Sequence, residues 1–255
     1  TPGADRTLCR RCVLPHSPPD ITLDADGVCS VCRREEKSAD AGDPLLETEF
    51  IRLLKKHRGR GRYDCLVMCS GGKDSTAALY YMKRRYHMNP LAFTFDHGFE
   101  SGDALKNVEN AVKTLGVDFF LYRTSELQDL FKKLIASRSR AVICHLCSIW
   151  YMRLTFDMAA RFETPLIIAG WTRGQAARSG VVSKGVTETD APEYASMAAA
   201  TREFLATLKD DPAYRDFPTT MDEVVKRARK RHKATVLSPH WFLDRDAEDY
   251  VAVIR

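Results

Sequence analysis

Two cysteine pairs open the chain, Cys9-x2-Cys12 and Cys29-x2-Cys32, with residues 13–28 between them. A C-x2-C turn aims two sulfurs at one point, so two such turns can close a tetrahedron of thiolates round one ion. Pro15, Pro18, Pro19 and Gly27 suit a short ribbon with tight turns. The spacing fits a four-thiolate zinc site; the competing reading is a pair of disulfides. Four protein ligands leave no open coordination position, so an ion held here is structural.

A third pair, Cys144-His145-Leu146-Cys147, stands alone, just before the apolar-periodic run Ile149 to Phe162. It reads as a redox pair, a cluster ligand pair, half a zinc site, or two buried cysteines. A helix N-terminus at this point lowers a thiol pKa and favours thiolate, which raises the reactive readings. Cys65 lies in a strand-like run and reads as core. Cys69 abuts the loop considered next and is near enough to reach a site there.

That loop is Ser70-Gly71-Gly72-Lys73-Asp74-Ser75-Thr76, between an apolar strand and a helix. Glycines let a backbone approach an anion closely, and amides at a helix N-terminus, with the Ser70 and Ser75 hydroxyls, can hold phosphate oxygens. Lys73 adds a positive charge; Asp74 caps the helix or helps place a metal ion such as Mg2+. Lys73 and Asp74 are therefore catalytic candidates. The loop is not a Walker A sequence, and no G-x-G-x-x-G is present.

The elements that must position these residues follow from periodicity. Residues 1–34 are the ribbon and 35–44 a charged linker. Leu45 to His57 is a helix, followed by a basic turn. Then strands and helices alternate: strand 63–69, helix 74–86, strand 91–95, and helix 103–115 closed by Gly116. Strand 117–122, helices 126–136 and 147–162, and strand 165–169 follow. This alternation predicts an α/β fold with a buried, doubly wound parallel sheet. Residues 171–190 are a long Gly/Ser/Thr/Arg loop, 191–232 read as all-helical, and Thr235 to Leu237 as one more strand. The expected divisions are 1–44 (ribbon and linker), 45–190 (nucleotide-binding unit) and 191–255 (helical, substrate side).

Ser70-Gly71-Gly72-Lys73-Asp74-Ser75 resembles the signature of the PP-loop ATP pyrophosphatases. The resemblance implies an enzyme that binds ATP, transfers AMP to a substrate oxygen, releases pyrophosphate, and lets a nucleophile displace AMP. Phe93-Thr94-Phe95-Asp96-His97-Gly98 matches the family's second strand end, which implies Phe95 and Asp96 beside the adenine and ribose. Ile167-Ile168-Ala169-Gly170-Trp171-Thr172 is similar to the later strand, which implies that Gly170 closes the site. The acidic residue many relatives carry there is replaced by Arg173 and Gln175. With a cytosolic nucleotide enzyme implied, zinc is favoured over disulfides at the ribbon.

Two branches resemble the chain further. The tRNA thiolation enzymes resemble it in the ribbon, the loop and the late C-x2-C. That likeness implies an iron–sulfur cluster on Cys144 and Cys147 plus a third ligand, for which Cys69 is better placed than Cys65 and a residue beyond Arg255 is equally open, or a two-cysteine persulfide. The N-acetyl sugar amidotransferases resemble it in Asp24-Ala25-Asp26-Gly27-Val28-Cys29 and in Asp96-His97-Gly98. That likeness implies a nucleotide sugar and ammonia from a partner glutaminase. Ammonia needs a tunnel, whereas sulfur needs a thiolate, persulfide or cluster. Cys144 and Cys147 therefore favour an ATP-dependent sulfurtransferase with a sulfur donor as partner. Its substrate is a tRNA base or a small metabolite. A plain RNA-binding module would need no pyrophosphate loop. Relatives are often dimers, so a homodimer is expected.

Composition sets outer limits. The chain has 255 residues, 44% hydrophobic and 29% charged, values that exclude a disordered or collagen-like chain. No apolar run is long enough to span a bilayer and no charged-then-apolar leader opens the chain, so a cytoplasmic protein without a membrane partner is expected. The absent initiator Met and the apolar end at Tyr250 to Ile254 suggest trimming. Net charge is +5, with basic clusters at 55–62, 83–85, 132–140 and 226–233 that read as a solvated face or an RNA track.

Overall fold

Cys65-Leu66-Val67-Met68 is apolar at every position, so a strand there must be covered on both faces. In the structure, a computed structural model describing residues 7–18, 21–33, 44–171, 195–243 and 247–254, all four are buried. Leu66 and Met68 enter one core; Cys65 and Val67 enter the other.

This strand, β1 (Cys65–Met68), is flanked by β2 (Pro90–Asp96) and β4 (Leu166–Ile168). Outside them lie β3 (Asp118–Arg123) and β5 (Thr235–Leu237). The order is β3-β2-β1-β4-β5, and every pairing is parallel. The chain winds outward from β1 in one direction, then returns and continues in the other, as a doubly wound sheet does.

The helices follow from the crossovers. One layer holds α1 (Pro44–Lys55), α2 (Lys73–Tyr80) and α3 (Gly102–Leu115). The other holds α4 (Glu126–Ser137), α5 (Ile143–Arg161) and, beyond α6 (Ala195–Ala206), α7 (Met221–Arg231). Ser101 caps α3 by accepting the Ala104 amide, and Gly116 ends it in the left-handed conformation, φ 61°. Two short helices, α8 (Pro239–Phe242) and α9 (Ala247–Ile254), close the chain, and α9 packs against α2.

Three expectations change. The loop helix starts at Lys73 and its last turn, Tyr81–Arg85, widens to a π-helix. The late C-x2-C lies inside α5, which begins at Ile143 and not at Cys147. Residues 207–216 are turns, so 191–232 is not helical throughout. Residues 172–190, with Thr172, Arg173 and Gln175, lie outside the described residues. No helix among the described residues is long and apolar enough to cross a membrane.

Candidate active site and metal centre

A doubly wound sheet opens a crevice at its carboxyl edge where the winding reverses. Here that point lies between β1 and β4, and a cleft of about 220 Å3 occupies it. Ser70, Gly72, Asp74 and Ser75 enter it from the loop after β1; Gly170 and Trp171 enter from the end of β4; Tyr151 enters from α5.

The loop is held by its own hydroxyls. Ser75 Oγ donates to the Gly72 carbonyl at 3.1 Å and accepts the Ser70 amide at 3.1 Å. Thr76 Oγ1 also donates to the Gly72 carbonyl, at 2.9 Å. No side chain caps α2, so its first-turn amides have no intrahelical partner and are free to meet an anion. Gly71 has φ 76°, and a Cβ there would lie 2.2 Å from the Ala104 carbonyl oxygen. Gly170 is equally constrained, because a Cβ would lie 2.5 Å from Ser75 Cα.

Asp74 lines the cleft without capping the helix. Its carboxylate takes both bonds from Lys73 Nζ, each 3.0 Å. A Mg2+ arriving with phosphates would find this carboxylate, and would offset charge on the phosphate oxygens. Asp96 is not free in the same way. It is buried, accepts the Gly98 amide at 2.7 Å and pairs with Arg123 Nε at 2.7 Å. The Gly98 amide and then Arg123 hold its carboxyl below the usual range, against burial. Phe95 is buried against the Tyr151 ring, 4.4 Å between centroids.

Sequence reasoning missed Tyr151, Trp171 and His240. Tyr151 had a signal: Cys144, Cys147 and Tyr151 stand at i, i+3 and i+7 of α5 and share one face. Burial keeps the Tyr151 hydroxyl protonated. Cys144 is exposed and Cys147 partly buried. Burial, then the neighbouring Glu100, pushes the Cys147 thiol up to about 11, which reverses the expected thiolate. Cys69 is buried, donates to the Val67 carbonyl and is pushed up to about 12 by burial.

His240 had no sequence signal. It is 1% exposed, and its Nε2–H donates to the Asp74 carbonyl at 2.8 Å. Its ring packs between Tyr81 and Tyr250, and its Nδ1 is buried without a partner. Burial lowers its pKa from the usual 6.5. The unfolded chain therefore takes up this proton first as pH falls. The stability contributed is complete above pH 6.5 and is lost as pH drops from there through the lower folded value. His240→Gln keeps an N–H donor and removes the titration. Urea melts between about pH 5 and 8 should show the wild type losing more stability than the variant on the acid side; parallel curves would sink this assignment.

The ribbon sulfurs form the one metal-like grouping among the described residues: Cys9, Cys12, Cys29 and Cys32, with all ligand atoms within 4.8 Å of one another. Sulfurs bound at about 2.3 Å to one tetrahedral ion stand roughly 3.8 Å apart, and Cys12 Sγ to Cys29 Sγ is 3.5 Å. Burial raises the Cys9 thiol, but amides, including those of Arg11 and Cys29, outweigh it and draw it down to about 6. The Cys12 sulfur, then burial, pushes Cys32 up to about 12. Four crowded sulfurs that cannot all ionise alone are what a divalent ion relieves. The set fits a single soft ion.

Comparison with known proteins gives the family. A model of the family described as queuosine biosynthesis protein QueC matches residues 64–209. An uncharacterized protein of Methanocaldococcus jannaschii is 30% identical over 122 residues. That match covers 48% of this chain, which spans 42% of the relative's length. Among solved structures, the U34-tRNA thiolase NcsA from Methanococcus maripaludis, with its 4Fe-4S cluster, has a TM-score of 0.44 at 13% identity, covering 98% of this chain and 71% of that one. The NH3-dependent NAD synthetase from Campylobacter jejuni has a TM-score of 0.42 at 11% identity, covering 74% and 93%. With the family model spanning more than half of the residues, and the SGGKDS loop seated at the switch point of a parallel sheet, the chain belongs to the QueC family of PP-loop ATP pyrophosphatases, whose members are ATP-using enzymes.

Proposed function

We propose that the chain is an ATP-dependent sulfurtransferase acting on a nucleobase, with ATP seated at Ser70–Thr76 and sulfur handled by Cys144 and Cys147. The observation that carries this is the shared face of α5, where both cysteines stand in line with Tyr151, a wall of the nucleotide cleft. The family's name, queuosine biosynthesis, supports a base as substrate. A carbonyl oxygen of the base attacks the α-phosphorus of ATP, and pyrophosphate leaves toward the loop amides, which meet its growing charge. The carbon now carries AMP, a good leaving group.

Cys144, exposed, receives a sulfur atom from a donor as a persulfide. Its terminal sulfur attacks the activated carbon and AMP leaves. Cys147 then attacks Cys144 Sγ, the bond between that atom and the transferred sulfur breaks, and a disulfide remains that a dithiol must reopen. This route needs two cysteines, whereas a cluster needs a third ligand, and Cys69, the candidate nearest the loop, is held in the core. Zinc in the ribbon and the divisions at 44/45 and 190/191 belong to the same proposal. The test is Cys144→Ser and Cys147→Ser. Each should lose sulfur transfer by at least ~10³-fold while keeping ATP binding. Full turnover in both would end the sulfur mechanism.

A further inference from the structure

Strand β5 runs beside β4, with Leu237 in register with Ile168. The Ala169 amide donates to the Leu237 carbonyl at 2.9 Å, so the two strands leave the sheet side by side at the nucleotide cleft. Ser238, Pro239 and His240 come next, at the start of α8. Ser238 and His240 are both buried, at 0% and 1% exposure. Burying a polar side chain costs free energy unless it is hydrogen-bonded, so the partners of these two are informative.

Ser238 stands at the N-cap of α8, where a serine hydroxyl ordinarily accepts an amide of its own helix. It makes no such bond. Its Oγ donates instead to the Trp171 carbonyl, at 2.6 Å. His240 Nε2 donates to the Asp74 carbonyl, at 2.8 Å. Pro239 stands between the two donors and fixes its own φ, which stiffens the link. The Tyr81 and Tyr250 rings, 6.1 and 4.2 Å from the imidazole between centroids, hold it in place.

The two acceptors belong to opposite walls of the cleft. Trp171 follows Gly170 at the end of β4, and Asp74 precedes Ser75 in the first turn of α2. Gly170 and Ser75 are where the walls touch, so closely that a Cβ on Gly170 would lie 2.5 Å from Ser75 Cα. Ser238 and His240 therefore grip the residues on either side of that contact. Neither lines the cleft, so each acts through the main chain it holds.

We infer that Ser238 and His240 are positioning residues that set the separation of the two cleft walls, His240 fixing the phosphate side and Ser238 the side at the end of β4. The inference rests on the ATP seat proposed above and is independent of the sulfur route. Pyrophosphate is small enough to sit on the first-turn amides of α2 alone. ATP must also fill the cleft against Gly170 and Trp171. The two donors should therefore affect the two ligands differently.

The test is calorimetric titration of Ser238→Ala, His240→Phe and His240→Gln with MgATP and with inorganic pyrophosphate. Thermal midpoints verify folding. Ser238→Ala leaves the Trp171 carbonyl without its donor. It should weaken MgATP roughly tenfold and leave pyrophosphate within about twofold. His240→Phe keeps a ring and loses the donor, so it should weaken both ligands roughly tenfold. His240→Gln retains an N–H and should restore most of both affinities. A merely structural role would not divide the ligands in this way. Wild-type MgATP affinity in folded Ser238→Ala and His240→Phe overturns the brace, and so does an equal loss of both ligands in Ser238→Ala. Absence of MgATP binding in the wild type is a different failure: it removes the ATP seat, and the brace's role with it.

Discussion

Gly170→Ala should cut ATP-dependent pyrophosphate release by at least ~10²-fold while the protein stays folded. The added Cβ would stand 2.5 Å from Ser75 Cα, 2.7 Å from Ser75 N and 3.0 Å from the Asp74 carbonyl carbon. All three are backbone atoms of the first turn of α2, so no flexible side chain can swing aside. Either the end of β4 or the helix N-terminus must retreat by about 1 Å, and a shift of that size in a phosphate cradle costs orders of magnitude in rate. The glycine is not needed for its dihedral freedom, since Gly170 is not in the left-handed region. Gly72→Ala provides the contrast, because its Cβ would meet just the Ser70 hydroxyl, at 3.5 Å. Pyrophosphate assays on both variants, with thermal melts, decide the matter. Wild-type turnover in Gly170→Ala would mean that the phosphates do not sit on this helix.

The same glycines show what was legible beforehand. A strand, two glycines, flanking serines and a helix are local, and the loop was readable because the hydroxyl bonds among Ser70, Gly72, Ser75 and Thr76 span five residues or fewer. The four ribbon cysteines were readable from the repeated C-x2-C spacing, although the two pairs meet across 17 to 20 residues. The three-residue strand Thr235–Leu237 stood out as a β-branched, apolar run after a charged one.

What failed was either unmarked locally or non-local. The start of α5 carries no capping side chain, since Val142 stands at its N-cap, so nothing in the sequence marked it. That error misplaced Cys147. The influence of a helix terminus fades within the first turn. Cys147 is one turn in and partly buried near Glu100, so burial wins. His240 braces the loop from across the chain, 166 residues from Asp74, and no periodicity reports such a contact.

The ribbon should bind one zinc per chain, and Cys29→Ser should lose both the ion and the local fold. Residues 7–33 are far below the roughly 40 residues at which a chain usually supports a core alone. Their apolar cluster is the buried Cys9, Cys29 and Cys32, with Leu14, Ile21, Leu23, Val28 and Val31 only partly covered. Pairing is limited to isolated bridges, Leu8 with Pro15, Ser17 with Ile21 and Leu23 with Cys29. So small a core offsets little chain entropy, whereas a structural zinc contributes about 10–16 kcal/mol in peptides of this kind at neutral pH. Binding must also expel protons. Cys32, held near 12 without the ion, gives up its own, so affinity should fall steadily as pH is lowered. Metal analysis, hydrogen exchange and limited proteolysis of wild type and Cys29→Ser provide the measurements. The variant should exchange the amides of residues 7–33 at nearly unprotected rates and be cut there. Pyrophosphate release should persist, because the ribbon core shares no residue with the two cores that flank the sheet. Undiminished zinc in Cys29→Ser, or full amide protection after chelation, would show that the four sulfurs do not hold the ribbon together.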